Sequence, residues 1–110
     1  MHVEEMLINA LSPIVPQVAP HIYRGEALEY ITFDYYVSGS TFAEGMPVAD
    51  IYSLMVHHYL PTGKSPYIAR GAIVEALMAA GCTYPSITDA TDDEGQHWVF
   101  ECYWKAGVHG

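Results

Sequence analysis

Two stretches of the chain alternate apolar and polar residues with the period of two that is typical of a β-strand. The first runs from Glu29 to Val37 and the second from Asp50 to Leu60. One face of the first stretch consists of Ile31, Phe33, Tyr35 and Val37. Antiparallel neighbours are joined directly, whereas parallel ones need a crossover of about a dozen or more residues, so the two stretches are predicted to form a β-hairpin.

The residues between these strands, Ser38 to Ala49, are predicted to form the loop of the hairpin. This loop is longer than a turn requires. It also carries Phe42, Met46 and Val48, which are apolar side chains that a plain solvent-exposed connection does not need. The segment is therefore a candidate contact surface.

Two segments repeat apolar residues at helical spacing. The first covers residues 3–11, and Pro13 should end it because the residue before a proline is pushed out of the helical region. The second begins at Ser65 and Pro66, an N-cap hydroxyl followed by a proline at the first helical position. Gly81 supplies the left-handed residue that ends it. The apolar stripe of this helix consists of Ile68, Ala69, Ala72, Ile73, Ala76, Leu77 and Ala80.

The remaining segments complete an α+β fold. The proline-rich residues 12–20 are predicted to be extended and irregular, and residues 21–23 to form a short strand. Residues 83–88 and 97–104 predict two further strands that form a second hairpin around the polar turn at residues 89–95. We therefore expect one domain over residues 1–110, with an antiparallel sheet of about four strands and two helices packed on one face.

Composition narrows the range of functions. Four Lys and Arg residues stand against thirteen Asp and Glu residues, which gives a formal net charge of −9. Such a surface repels phosphate, so direct DNA binding is not expected. No apolar run is long enough to span a bilayer, and the acidic start of the chain, residues 1–5, lacks the basic region of a secretory signal. We expect synthesis in the cytoplasm and no membrane association.

The histidines do not predict a metal site. His57 and His58 are adjacent in a predicted strand, so they point to opposite faces and cannot both bind one ion. His57 can meet His97 across the strands, but two ligands do not make a zinc site. The acidic turn at residues 89–95 lacks the ligand spacing of an EF-hand loop. It is predicted to be a solvated hairpin tip.

No motif for covalent catalysis or for phosphate binding is found in the sequence. Cys82 follows a helix C-terminus, where the dipole raises the pKa of a thiol rather than lowering it. Cys82 and Cys102 are predicted to be small core residues and not a disulfide. The sequence therefore predicts a protein that is not an enzyme and that needs no cofactor.

Tyrosine is unusually frequent, with nine residues in the chain. These exceed what a core of this size can bury with every hydroxyl hydrogen-bonded, and tyrosine is enriched at protein interfaces. The alternative is that they line an exposed sheet face with their hydroxyl groups in water. Together with the apolar residues of the loop, the tyrosines predict oligomerisation, and a ring would also close the open edges of a small sheet.

Five segments resemble the tail-completion or tail-terminator proteins of long-tailed bacteriophages and prophages. The segments are Leu28–Phe33, Phe42–Gly45, Ile51–His57, Met78–Cys82 and His97–Glu101. The similarity is one of pattern and order, and it covers nearly the whole chain. It implies a virion structural protein that assembles in the host bacterial cytoplasm and resides in the virion tail.

The resemblance implies a ring, typically a hexamer, on the end of the tail tube. Such a ring stops polymerisation of the tube protein and forms the surface that docks onto the head connector. DNA passes through its lumen without specific binding, and the acidic balance of the chain suits that role. The candidate residues for contacting the tube or a neighbouring subunit are Phe42, Glu44, Met46, Val48, Tyr36 and Tyr52.

One departure from the family limits what the resemblance implies. Glu26 and Glu29 flank the first strand, where family members often carry basic or neutral residues, so subunit contacts are not transferred residue by residue. Two alternatives remain open. One is another neck or tail adaptor of the same particle. The other is a small ligand-binding or enzymatic domain with a pocket between helix and sheet, in which His57 or His58 serves as the acid-base group.

Overall fold

The computed structural model describes residues 2–107, which form two helices and one five-stranded sheet. The elements are α1 (Val3–Leu11), β1 (Val18–Pro20), β2 (Tyr30–Ala43), β3 (Met46–Leu60), α2 (Tyr67–Ala79), β4 (Ser86–Asp89) and β5 (Gln96–Gly107). The strands lie in the order β1-β2-β3-β5-β4. All neighbours are antiparallel except β1 and β2, which are parallel. The α+β class is confirmed, but the expected four-stranded antiparallel sheet is corrected to a mixed sheet of five strands.

The fifth strand, β1, comes from the proline-rich segment that was expected to be irregular. Val18 pairs with Ile31, and the Ile31 amide donates to the Gln17 carbonyl at 2.8 Å. Pro20 has no amide proton, which an edge strand tolerates. The strand expected at residues 21–23 is absent because His21, with a φ of 64°, turns the chain out of the sheet direction.

Strand β4 begins later than expected. The sequence predicts a strand from residue 83, whereas the observed strand covers Ser86–Asp89. It starts immediately after Pro85, which cannot donate to a ladder. β4 and β5 form the expected second hairpin, with Ser86 opposite Glu101 and Asp89 opposite Trp98.

Both helices lie close to the predicted segments. α1 begins after His2, whose imidazole accepts from the Glu4 amide at 3.1 Å. α2 begins one residue later than expected, with Pro66 as N-cap in place of Ser65 and with no capping hydrogen bond from a side chain. A helix start of this kind leaves its first amides to solvent.

The C-terminal end of α2 is built as the sequence predicts. Gly81 has a φ of 97°, and its amide donates to the Met78 carbonyl at 3.0 Å. The next amide, that of Cys82, donates to the Leu77 carbonyl at 2.9 Å. These two bonds are the pair that defines a Schellman motif, which lets the chain turn from the helix toward β4.

One hydrophobic core joins both helices to a single face of the sheet. Its buried members include Leu7, Leu11, Ile31, Phe33, Leu54, Val56, Ile73, Leu77 and Phe100. Both helices therefore pack on the same face, as expected. Ile68 is an exception within the predicted stripe, because 90% of its surface is exposed. It lies five residues before Ile73, which at 3.6 residues per turn is about 140° away around the helix.

The predicted loop at Ser38 to Ala49 is wrong, because this segment consists of strand except for a two-residue turn. β2 and β3 remain paired from Tyr30 opposite Tyr59 to Ala43 opposite Met46. Register shifts leave one residue unpaired in each strand, at Ser38 and at Val48, as β-bulges do. We call residues 38–49 the arm. The described chain measures 54 by 24 by 22 Å.

The turn of the arm consists of Glu44 and Gly45, with φ values of 55° and 78°. Positive φ at both central residues is the type I′ geometry, which matches the twist of the flanking strands. Glycine adopts it readily, whereas glutamate does so at a cost.

Replacing Glu44 by asparagine is therefore expected to stabilise the hairpin. Asparagine tolerates the left-handed region, so the gain should be about 0.5–1 kcal/mol in the free energy of unfolding. Thermal unfolding measures it. Glu44→Gln is the control, because it removes the same charge without favouring positive φ. An equal gain in both variants would assign the effect to charge and contradict the conformational explanation.

Candidate functional site

The arm carries large apolar side chains that are exposed. Phe42 is 64% exposed, Met46 is 66% exposed and Val48 is 45% exposed. Glu44 lies exposed between them at the turn, and Tyr36 is exposed on β2 just before the arm. The structure thus brings four of the six candidate interface residues, Phe42, Glu44, Met46 and Val48, into the arm, whereas Tyr36 lies opposite Ser53 near the middle of the hairpin.

Tyr52, the sixth candidate, also lies outside the arm, opposite Val37. It is half-buried on the face that the helices cover. Its ring centroid is 5.9 Å from that of Trp104 and 6.1 Å from that of Tyr35. Tyr52 therefore supports the packing at the base of the arm.

Much of the backbone of the arm has no neighbouring strand in the part of the chain that the structure describes. β1 accompanies β2 only from Ile31 to Phe33. On the other side, β5 ends opposite Ala49. Within residues 2–107 the tip, residues 42–48, is consequently a two-stranded ribbon with two open edges. Open edges offer unpaired amide and carbonyl groups to another protein chain.

The arm is also nearly free of charge. Among residues 38–49 only Glu44 is ionisable, whereas the whole chain carries a formal net charge of −9. A partner that binds an uncharged apolar surface of an acidic protein removes few carboxylates from water, so its binding has a small desolvation cost. The arm can thus serve as a protein contact surface.

A second group of side chains lies on the sheet face that the helices do not cover. The Asp34 carboxylate contacts His21 Nδ1 at 2.9 Å and His57 Nε2 at 3.2 Å. His57 Nδ1 in turn lies 2.8 Å from His97 Nε2. The expected approach of His57 and His97 is confirmed, and His58 points to the opposite face as predicted. The sequence did not indicate that Asp34 and His21 extend the chain of contacts.

A cavity of about 370 Å³ opens beside His97, at the end of the sheet opposite the arm. It is lined by Ala27, Leu28, Tyr30, Tyr59, Leu60, Pro61, Thr62, Asp92, Glu94, Gly95, Gln96 and His97. The ring of Tyr59 is stacked between those of Tyr30, at 4.8 Å, and His97, at 4.2 Å. Three segments far apart in sequence form this cavity, so no local sequence pattern predicts it.

The histidine contacts define one acid-base arrangement. Burial and the neighbouring His57 lower the pKa of His97, so the ring is neutral at pH 7. If His57 donates from Nε2 to Asp34, its Nδ1 accepts from His97 Nε2, which leaves the lone pair on His97 Nδ1. Within residues 2–107, no three His, Cys, Asp or Glu side chains converge in a way that would hold a metal ion.

His58 is the one fully buried histidine of the described chain, and it is paired. Its Nε2 donates to Glu29 Oε2 at 2.7 Å, and Lys64 binds the other oxygen of the same carboxylate. Burial lowers the pKa of His58 more than the contact with Glu29 raises it. Burial alone would raise the pKa of Glu29, but the hydrogen bonds from Lys64 and His58 outweigh it and lower that pKa.

Acidification below about pH 6.5 is therefore expected to reduce the free energy of unfolding. The pKa values of His58 and His97 are lower in the folded state than in the unfolded chain, so the unfolded chain takes up protons first. The contribution of these two histidines to the free energy of unfolding is complete above pH 6.5 and is lost as the pH falls from 6.5 through their folded-state pKa values. The slope of this loss is up to about 1.4 kcal/mol per pH unit for each histidine. Below about pH 4.5 the loss of the Glu29 carboxylate adds to it.

Urea unfolding between pH 5 and pH 8 measures this dependence. His58→Gln keeps a donor for Glu29 but does not titrate, so its profile should be flatter than that of the unchanged protein. A wild-type profile that is level between pH 7.5 and pH 5.5 would show that burial of these histidines has no energetic consequence.

Cys82 and Cys102 are both buried, with free thiol groups, as the sequence predicts. The pKa of Cys82 is raised, first by its hydrogen bond with Cys102 and then by burial. The expected direction is thus correct, but the cause is the neighbouring thiol rather than the helix dipole. A buried thiol with a raised pKa is a poor nucleophile.

Comparison with known proteins adds no identification. No family model matches the chain, and no curated protein matches it. Neither helix in residues 2–107 combines the length and the apolar character that crossing a membrane requires.

Proposed function

We propose that this chain is the subunit of a homo-oligomeric ring that caps the tail tube of a long-tailed bacteriophage or prophage. In this role the ring, a hexamer in the family that the sequence resembles, stops polymerisation of the tube protein. Its other side forms the surface that joins the head connector. The observation that carries the proposal is the arm, with its exposed apolar side chains and with strand edges that no other strand of residues 2–107 covers.

Two further properties support a structural role. A ring through which DNA passes benefits from an acidic subunit, because a lumen that repels phosphate does not retain the genome. A hairpin whose two strands are paired with each other and whose base is paired with β5 is also ordered before binding, so it loses less conformational entropy than a loop of the same length. We assign the arm to the contact with the tube protein or with a neighbouring subunit.

The first experiment is the mass of the purified protein by light scattering over a range of concentration and salt. A discrete species of about six subunits supports the ring, and salt should favour it because screening reduces repulsion between copies of charge −9. Electron microscopy then shows whether the protein binds the ends of isolated tail tubes. Protein that binds connector assemblies but not tubes would indicate a different neck adaptor.

The contacts of Asp34, His57 and His97 favour a second candidate function. They place a nitrogen of the His97 imidazole, whose pKa is lowered by burial and by His57 so that the ring is neutral and can accept a proton, beside a cavity of about 370 Å³. Such an arrangement suits a domain that binds a small ligand and moves a proton. Nuclear magnetic resonance screening with a fragment library tests it. Chemical-shift changes at the amides of Gly95 and Gln96 that disappear in His97→Gln would support this second function. The absence of such changes in the unchanged protein would contradict it.

A further inference from the structure

A shallow groove of about 510 Å³ lies between the two helices. It is lined by Met6, Asn9, Ala10, Ala76, Ala79, Ala80 and Trp104. Four of these residues are alanines, so the floor of the groove is low and accepts large side chains. None of the lining residues is ionisable.

The groove lies at the arm end of the body. Trp104 is opposite Tyr52 in the sheet, and two positions further along β5, Ala106 is opposite Asp50 at the base of the arm. The indole of Trp104 donates to the Ala80 carbonyl at 3.2 Å, which fixes this wall of the groove to the end of α2.

The arm directs Phe42 to the same side of the sheet as the groove. Asp50 shares its face of β3 with Leu54, which is in the core, and the Ser40 hydroxyl bonds to Asp50 across the pair at 2.9 Å. Phe42 follows Ser40 by two residues, so alternation along β2 places it on that face too. There it lies beyond the last residue of β5 with which the arm is paired, and it is exposed.

Charge restricts how two copies of this chain can meet. Each copy carries a formal net charge of −9, so most approaches bring carboxylates together. The groove has no charged lining residue, and the arm has Glu44 alone. Contact between arm and groove joins two uncharged apolar surfaces, and both lose exposed apolar area.

We propose that the arm of one copy docks in the helix groove of a second copy, with Phe42 on the alanine floor. The inference rests on the proposed function in one respect, namely that copies of this chain assemble with one another. Beyond the proposed function, the inference identifies the two surfaces that meet when copies assemble. Arm and groove are different surfaces, so the contact repeats around a ring or closes as a pair.

Disulfide cross-linking between two variants of the full chain tests the contact. Protein with Phe42→Cys is mixed with protein carrying Ala79→Cys under mild oxidation. The expected product is a cross-linked pair of one copy of each variant, identified by mass. In the control mixture Thr62→Cys replaces Ala79→Cys, because Thr62 is exposed at the opposite end of the sheet. Equal yields in both mixtures would overturn the proposal.

In a second experiment the groove is filled by a larger side chain. Ala79→Trp puts a large ring on its floor from an exposed helix position and should weaken self-association at least about tenfold, measured by sedimentation velocity. Met78→Trp is the matched control, since Met78 is exposed on the same helix but does not line the groove. Self-association that is unchanged by Ala79→Trp would overturn the inference.

The outcomes separate this inference from the proposed function. Assembly that persists without the specific cross-link removes the arm-groove contact and leaves the ring proposal standing. Protein that is monomeric at every concentration and forms no specific cross-link also removes the contact, while binding to tube ends is still assayed independently. A specific cross-link in protein that never binds tubes would support the contact and count against the tail-end role.

Discussion

Replacing Phe42 and Met46 together by aspartate is expected to weaken self-association at least about a hundredfold. Both side chains are about two-thirds exposed, so their burial is available to an interface. Burying such a side chain contributes about 1.5–3 kcal/mol, and two of them correspond to a factor of a hundred or more. Sedimentation velocity over a range of concentrations measures the change. The fold should persist, because neither residue belongs to the core.

The control for this variant replaces Ile68 and Tyr84 by aspartate. These side chains are 90% and 70% exposed and lie outside the arm. The control adds the same two negative charges and removes a similar apolar area. If both double variants lose self-association to the same extent, general repulsion rather than the arm explains the loss.

Replacing Phe100 by alanine is expected to lower the free energy of unfolding by about 3–5 kcal/mol. Phe100 is fully buried in β5, between Val56 of β3 and Ile87 of β4. It faces the helices, so truncation removes apolar contacts and leaves a cavity that the rigid sheet cannot close. For a small domain this is a large part of the total stability.

Urea unfolding measures this loss, and Phe42→Ala provides the same substitution at an exposed position. The control should change the free energy of unfolding by no more than about 0.5 kcal/mol. The slope of the free energy against urea should be the same in both variants, since each remains a folded two-state domain. A loss under 1.5 kcal/mol for Phe100→Ala would show that the core repacks around the missing ring.

The two ends of the molecule are expected to contribute separately to stability and to assembly. The body contains the core that holds the chain folded, and the arm contains exposed apolar surface that the fold itself does not use. Stability and assembly should therefore vary independently. A variant such as Phe42→Asp with Met46→Asp keeps the free energy of unfolding of the monomer while losing self-association, and Ala79→Trp is expected to behave in the same way.

Local patterns predicted the elements whose structure depends on near neighbours. The two helices follow from spacing of apolar residues, and the left-handed residue at Gly81 follows from glycine itself. The central strands and the opposite directions of His57 and His58 follow from the period of two. In each case the determining interactions lie within a few residues along the chain.

Elements that depend on distant partners were predicted less well. β1 is a strand because β2 lies beside it, although Pro20 is unfavourable for a strand. The small residues of the arm predict a loop, whereas β2 and β3 stay paired through it with two bulges that shift the register. Pairing with the opposite strand supplies the hydrogen bonds that outweigh these local preferences.

The sequence by itself determined the α+β class, the helix-covered core and the acidic character of this protein, because periodicity and charge are properties of the residues alone. Only the tertiary structure decided that the apolar segment is a paired hairpin arm, that Tyr52 packs at its base and that Asp34 joins His57 and His97. It also decided where the cavity and the helix groove lie. Each of these features is made by residues that are distant in sequence, and packing of the whole chain brings them together.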